Sequence, residues 1–157
     1  MLLLMLMMHL IGIRINISES YPLGLYMKVS GEYERGSLVE TCVPEHVSTM
    51  MVDRGYIPDI GSCGNYPPFI KQVYGVGGDE VLVGSQVSIN GIAIVGTELK
   101  TMDNEQREYP QAQSATVPEG HVWLMSNNHP DSYDSRYFGS IPDTHILSML
   151  RPLWTGK

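Results

Sequence analysis

Apolar residues in this chain fall in short runs, broken every few positions by glycine, proline or polar clusters, and the runs that alternate do so with period two. That pattern predicts short strands over residues 25–29, 37–40, 69–76, 81–89, 92–95 and 121–125. A last apolar run, 146–154, reads as a final core strand plus tail, with a membrane-touching rim shared with the N-terminal apolar run as the alternative. Asn90-Gly91 marks a hairpin, because both residues accept the positive φ that a two-residue turn imposes. Residues 44–52 are the one helical prospect, with Pro44 opening the first turn and Gly55 soon after the end. Residues 56–68 read as loop, and 97–114, polar and mixed in charge, as a surface excursion. The expected fold class is mainly β: a single domain of short, coiled antiparallel strands with little helix.

Residues 1–13 are as apolar as a membrane segment. They are fewer than the roughly 20 residues that span a bilayer, and no basic flank precedes them. Taken alone they suit a buried core element; taken with the rest of the chain they read as a partial signal anchor. The domain division is therefore 1–13 for the apolar segment and 14–157 for the folded domain, since 157 residues suffice for one sizeable core.

Charge and composition narrow the function. A net charge of −7 with only 10 Lys and Arg leaves no basic patch, which excludes nucleic acid as a partner. The five histidines (His9, His46, His121, His129, His145) are scattered without ligand spacing, so no metal is expected. The glycine-rich run 75–81 lacks the GxxxxGK[ST] pattern and a following helix, so it reads as a tight turn and no cofactor is implied. Cys42 and Cys63 leave two readings open. In a reducing compartment they are free thiols; in an exported domain their disulfide would contribute about 3 kcal/mol through loop closure.

The candidate chemistry begins with Lys71, placed in the run Phe69-Ile70-Lys71-Gln72-Val73-Tyr74-Gly75-Val76. In a strand, alternation puts it on the same face as Phe69 and Val73. An amine held among hydrophobes loses the solvation of its charge, so its pKa falls and a neutral base becomes accessible. Ser18 and Ser20, just before the Pro22 and Gly24 turn, are nucleophile candidates that such a base could serve. The competing reading is a snorkelling lysine on an edge strand beside an ordinary serine-rich turn. Asn16-Ile17-Ser18 is formally a glycosylation sequon. A Ser-His-Asp hydrolase using His121 or His129 is disfavoured, since no G-x-S-x-G elbow surrounds Ser20.

Three segments in order carry a family resemblance: Ser18-x-Ser20-x-Pro22, then Lys71 opening K-x-V-x-G-x-x-G-D-x-V, then Ser132-x-Asp134-Ser135-Arg136-Tyr137-x-Gly139. In this order the chain resembles the membrane-bound Ser/Lys signal peptidases. It is most similar to their conjugative-transfer branch, the TraF-type peptidases. Tyr21-Pro22-Leu23-Gly24-Leu25-Tyr26 after the serine, Ser126-Asn127-Asn128 after the core strand, and the Cys42 and Cys63 positions all look like that branch. The Arg35-Gly36-x-x-Val39 and Pro118-x-Gly120 turns extend the likeness over nearly all of residues 13–153.

The resemblance implies a signal-peptidase-like fold and a Ser/Lys dyad, with Ser20 as nucleophile and Lys71 as general base. It implies Ser18 and the Ser20 backbone as oxyanion donors, Ser132 as the group that aligns Lys71, and Asp134 with Arg136 as a supporting ion pair. It further implies a Cys42–Cys63 disulfide. The expected partners are a pilin precursor, or another exported precursor protein, and the inner membrane, with the domain on its periplasmic face. The expected activity is maturation of conjugative pilin by cleavage, and the resemblance leaves open whether water or the pilin's own amine, closing a ring, releases the acyl-enzyme. The alternatives are a housekeeping-type signal peptidase I, and a non-catalytic exported β-domain that binds a pilus or secretion component.

Overall fold

The computed structural model describes residues 11–156. The first ten residues of the partial signal anchor read over 1–13 lie outside the described residues. Among the described residues, no helix is long and apolar enough to cross a membrane.

Eleven strands are found among the described residues. In chain order they are β1 (Ile13–Asn16), β2 (Gly24–Val29), β3 (Leu38–Thr41), β4 (Phe69–Val76), β5 (Glu80–Val83), β6 (Val87–Ile89), β7 (Ile92–Ala93), β8 (Ala115–Thr116), β9 (His121–Met125), β10 (Ile141–Pro142) and β11 (Ile146–Thr155). Two helices, α1 (Glu45–Asp53) and α2 (Ser135–Phe138), interrupt them. Seven strands form an antiparallel sheet in the order β1-β2-β11-β3-β4-β9-β10, and the other four a smaller one, β7-β6-β5-β8. The fold is mainly β, as the alternating pattern predicts.

β4 lies between β3 and β9, so the edge-strand reading of Lys71 fails: its backbone is paired on both sides. The pleat buries Lys71, Val73 and Gly75 and leaves Ile70, Gln72 and Tyr74 half-buried. Val39, Val73, Val122, Leu124 and Ile141 form one core cluster beneath the large sheet. Val81, Val87, Ile89, Trp123 and Met125 form a second, which joins the small sheet to β9. Full burial of such side chains is worth about 1.5–3 kcal/mol each, which is why two short sheets hold together without long helices.

Some boundaries differ from the sequence reading. Residues 81–89 do not form one strand but split into β5 and β6 around Gly84-Ser85-Gln86, and the strand expected over 92–95 shrinks to Ile92–Ala93. The Asn90-Gly91 hairpin forms as expected, pairing Ile89 with Ile92, and both turn residues have positive φ (51° and 79°). The 97–114 segment is only partly a surface excursion, because Thr97 and Asp103 within it are buried.

Cys42 and Cys63 form a disulfide, with Cα atoms 5.6 Å apart. It ties the chain just after β3 to the loop before β4, and Cys63 sits in a core cluster with Val47, Met51 and Tyr66. A closed loop of this length limits the unfolded ensemble by about 3 kcal/mol. Reduction, or Cys63→Ser, is therefore expected to lower the stability read from urea unfolding by about that amount; an unchanged midpoint would contradict the account.

Candidate active site

The loop bearing the two serines, residues 17–23, is the connection of the β1–β2 hairpin, closed where Asn16 pairs with Gly24. Gly24 is required by its neighbours. It has φ 149°, and a Cβ there would lie 2.1 Å from the carbonyl oxygen of Trp154, where β11 pairs antiparallel with β2. Within the loop, Ser18 Oγ lies 2.9 Å from Ser20 Oγ, and the Ser20 N–H donates to Ser18 Oγ at 3.4 Å. The Ser20 carbonyl is turned inward, where it accepts a hydrogen bond from Ser126 Oγ at the end of β9.

Lys71 approaches from the middle of the large sheet. It is 3% exposed, and its Nζ donates to Ser132 Oγ at 2.6 Å. Burial is the main influence on the amine and lowers its pKa to about 8; the Asp134 carboxylate pulls upward and the Arg136 guanidinium pushes down, so the two oppose each other. Desolvation wins, and the neutral amine becomes accessible near neutral pH.

Asp134 and Arg136 lie behind Ser132 with no exposed surface. Arg136 Nε and Nη2 each reach an Asp134 carboxylate oxygen at 2.8 Å. The same guanidinium donates to the carbonyls of Ser132 (2.9 Å), Ser126 (3.1 Å) and Glu98 (3.3 Å). Asp134 also caps α2 by accepting the Arg136 N–H, and it accepts the Ser126 N–H at 3.0 Å. The ion pair thus holds the backbone of both Ser126 and Ser132.

Ser18, Ser20, Lys71 and Ser132, far apart in sequence, line a single cleft of about 400 Å³. Asp134 and Arg136 stand behind it, and the two cysteines do not line it. Lys71 bonds to Ser132 while Ser20 bonds to Ser18, so both candidate partners already have a hydrogen bond in one shared space. His129 also borders the cleft, but its Nε2 lies 3.5 Å from the Glu19 carboxylate rather than on a serine. No group of three residues suited to hold a metal occurs among the described residues.

Some contributors are not evident from sequence. One wall of the cleft comes from the 97–114 segment, where Asp103 accepts from the N–H groups of Glu105 and Arg107, from Arg107 Nε and from the Tyr56 hydroxyl. Burial tends to raise the Asp103 pKa, but these donors, led by Tyr56, outweigh it and hold it well below the usual carboxylate range. The Asp103-x-x-x-Arg107 spacing was the one available signal. Tyr56, Tyr109 and Tyr133 line the cleft too, in tilted contact with one another, and Tyr137 stacks on Tyr133. Ser126 was marked only as part of the Ser126-Asn127-Asn128 likeness, and Asn16 only as part of a formal sequon; neither pattern pointed to a contact with the serine loop.

Comparison with known proteins places the chain in a family. The description of the signal peptidase, peptidase S26 family matches residues 1–154. The plasmid transfer protein TraF of Escherichia coli is 35% identical over 152 residues, covering 94% of this chain and 85% of that protein. The conjugal transfer protein TraF of Agrobacterium fabrum is 35% identical over 148 residues, covering 92% and 83%. A solved signal peptidase I from Enterococcus faecalis aligns with 77% of this chain and 98% of its own at 21% identity, with a TM-score of 0.44. With three ordered motifs, a shared cleft and a match over nearly its whole length, this chain belongs to the signal peptidase S26 family.

Proposed function

We propose that this chain is a Ser/Lys endopeptidase that matures an exported precursor, most specifically a conjugative pilin, at the periplasmic face of the inner membrane. The observation that carries this reading is the buried Lys71, its pKa lowered to about 8, in one cleft with the Ser18–Ser20 pair. Neutral Lys71 takes the Ser20 proton as Ser20 Oγ bonds to the scissile carbonyl carbon, and the carbonyl oxygen becomes an oxyanion. The Ser20 N–H and the Ser18 hydroxyl are the donors for it, a contribution of ~10²–10³ in rate for each well-placed donor. Collapse of the adduct expels the amine, which takes its proton from the Lys71 ammonium and leaves an acyl-enzyme on Ser20. Ser132 keeps the Lys71 amine aligned throughout.

The acyl-enzyme is released by water, giving cleavage, or by the precursor's own amine, giving a ring. Relatives named for plasmid and conjugal transfer support a substrate belonging to conjugation, and pilin is the exported precursor we assign to it. Attachment to a membrane surface is supported by exposed apolar side chains around the serine loop: Ile15, Ile17, Leu23, Leu153 and Trp154.

Mass spectrometry of a pilin precursor incubated with the protein is expected to give a Ser20-dependent product, absent with Ser20→Ala and Lys71→Ala. A trimmed chain means hydrolysis; a product lighter than that by one water means ring closure. No Ser20-dependent change would overturn the peptidase reading in favour of a binding domain. Lys71→Arg is expected to be folded and inactive, because arginine cannot lose its proton in this range. Activity of the unaltered protein is expected to rise with pH through about 8, as the Lys71 amine becomes neutral. A flat kcat/KM between pH 6 and 9 would remove Lys71 from the role of base.

A further inference from the structure

Seven residues connect β1 to β2, and little apolar packing holds them. Ile17 is 87% exposed, Leu23 is 46% exposed, and Ser18 and Glu19 face solvent. Tyr21 alone packs against a core cluster, edge-on to Tyr26. A loop of this kind would ordinarily sample many conformations, each with its hydroxyls and N–H groups aimed differently.

One buried side chain binds it together from within. Asn16, the last residue of β1, is 7% exposed. Its Nδ2 donates to the carbonyls of Ser18 (3.0 Å), Tyr21 (2.8 Å) and Pro22 (3.1 Å), and its Oδ1 accepts the Ser18 N–H at 3.1 Å. The orientation of the amide follows from its surroundings. Three carbonyl oxygens converge on one end, where only an NH₂ group is tolerated, and an N–H meets the other end, where only an oxygen is. Two further donors act on the same loop: the Tyr26 hydroxyl also holds the Pro22 carbonyl, and Ser126 holds that of Ser20.

Four loop carbonyls are therefore drawn inward, and Ser18 is gripped at both its N–H and its carbonyl. Its hydroxyl is left facing Ser20, within reach of both the Ser20 Oγ and N–H. No other side-chain type does the same from this position. Aspartate is isosteric but presents oxygen to three carbonyls, glutamine places the amide one methylene further out, and alanine takes the side-chain donor from the Ser18 and Tyr21 carbonyls and leaves that of Pro22 to Tyr26 alone.

We propose that Asn16 is a positioning residue for the peptidase reaction, its amide clamping the serine loop so that the Ser18 hydroxyl and the Ser20 N–H converge on one oxyanion position. The inference rests on the Ser20/Lys71 reading above and adds a residue to it. Asn16 touches no reacting atom and acts through Ser18.

The experiment compares Asn16→Ala, Asn16→Asp, Ser18→Ala and the Asn16→Ala/Ser18→Ala double variant in the full chain, with the precursor assay and amide hydrogen exchange over residues 17–23. Asn16→Ala is expected to lower kcat at least tenfold, approaching the ~10²–10³ that loss of an oxyanion donor costs, with KM nearly unchanged. Asn16→Asp is expected to be no better despite its shape. The pH dependence near 8 is expected to persist in both, because the Lys71 side of the cleft is untouched. The double variant is expected to lose little more than Ser18→Ala alone, since the two changes remove one effect. Exchange of the loop amides is expected to quicken in Asn16→Ala, while that of β4 and β9 stays as before.

Wild-type kcat in Asn16→Ala, full multiplication of the two losses, or an unchanged loop exchange pattern would overturn the inference and leave the peptidase reading standing. A general loss of exchange protection across β4 and β9 would overturn it too, by making Asn16 a residue of global stability. Absence of any Ser20-dependent product from the unaltered protein would instead overturn the peptidase reading itself, and the role of Asn16 with it.

Discussion

A carboxylate and a guanidinium, both without any exposed surface, hold the two halves of this cleft in register. Desolvating Asp134 and Arg136 is expensive, and a buried pair of this kind adds little net stability compared with hydrophobes of the same shape. What it supplies is connectivity. Through Arg136 and Asp134, the Ser126 backbone and the Ser132 carbonyl are fixed to one rigid fork. Ser126 in turn holds the Ser20 carbonyl, and Ser132 receives the Lys71 amine. Remove one charge and the other is stranded in the core, a cost of about 3–5 kcal/mol that falls on the whole arrangement.

The lysine imposes a cost of its own. Its pKa is about 8 in the fold against an ordinary 10.5, so between those values the unfolded chain binds more protons than the folded one. By linkage, stability contributed by this group is complete above 10.5, rises with pH across that window, and is lost as pH falls through about 8. At neutral pH the fold therefore carries the burden of a largely protonated, buried amine, on the order of 3 kcal/mol. The fold tolerates this because β4 is paired on both sides and Val73, next inward along the strand, lies in a core cluster.

How far the site was legible depends on the kind of interaction that builds each part. β4 and β9 were readable end to end, because each is a short run of apolar, β-branched and aromatic residues bounded by turn residues, and the single lysine in β4 stands out. The split between β5 and β6 was not. Val81-Leu82-Val83 and Val87-Ser88-Ile89 are apolar on both sides of a turn that lacks the Asn-Gly signature, so periodicity alone fuses them. Ser132, Asp134 and Arg136 stood out only through their ordered likeness to a family. The wall around Asp103 and the Ser126 contact escaped notice for one physical reason: polar side chains at loop ends look alike until the fold brings their partners close. Ser126 and Ser20 are 106 positions apart.

The last strand among the described residues, β11, lies between β2 and β3, both from the first third of the chain, and its end pairs with Gly24 of the hairpin. Until residues 146–155 are present, β2 and β3 have no neighbour in common. The hairpin carrying Ser20 then has no continuous sheet linking it to the strand carrying Lys71. Such distant pairings are slow to form, since a long loop must close before any contact repays it. A growing chain therefore holds Ser20 and Lys71 long before β11 can join the strands that carry them, so the cleft is a property of the closed sheet and not of either segment alone.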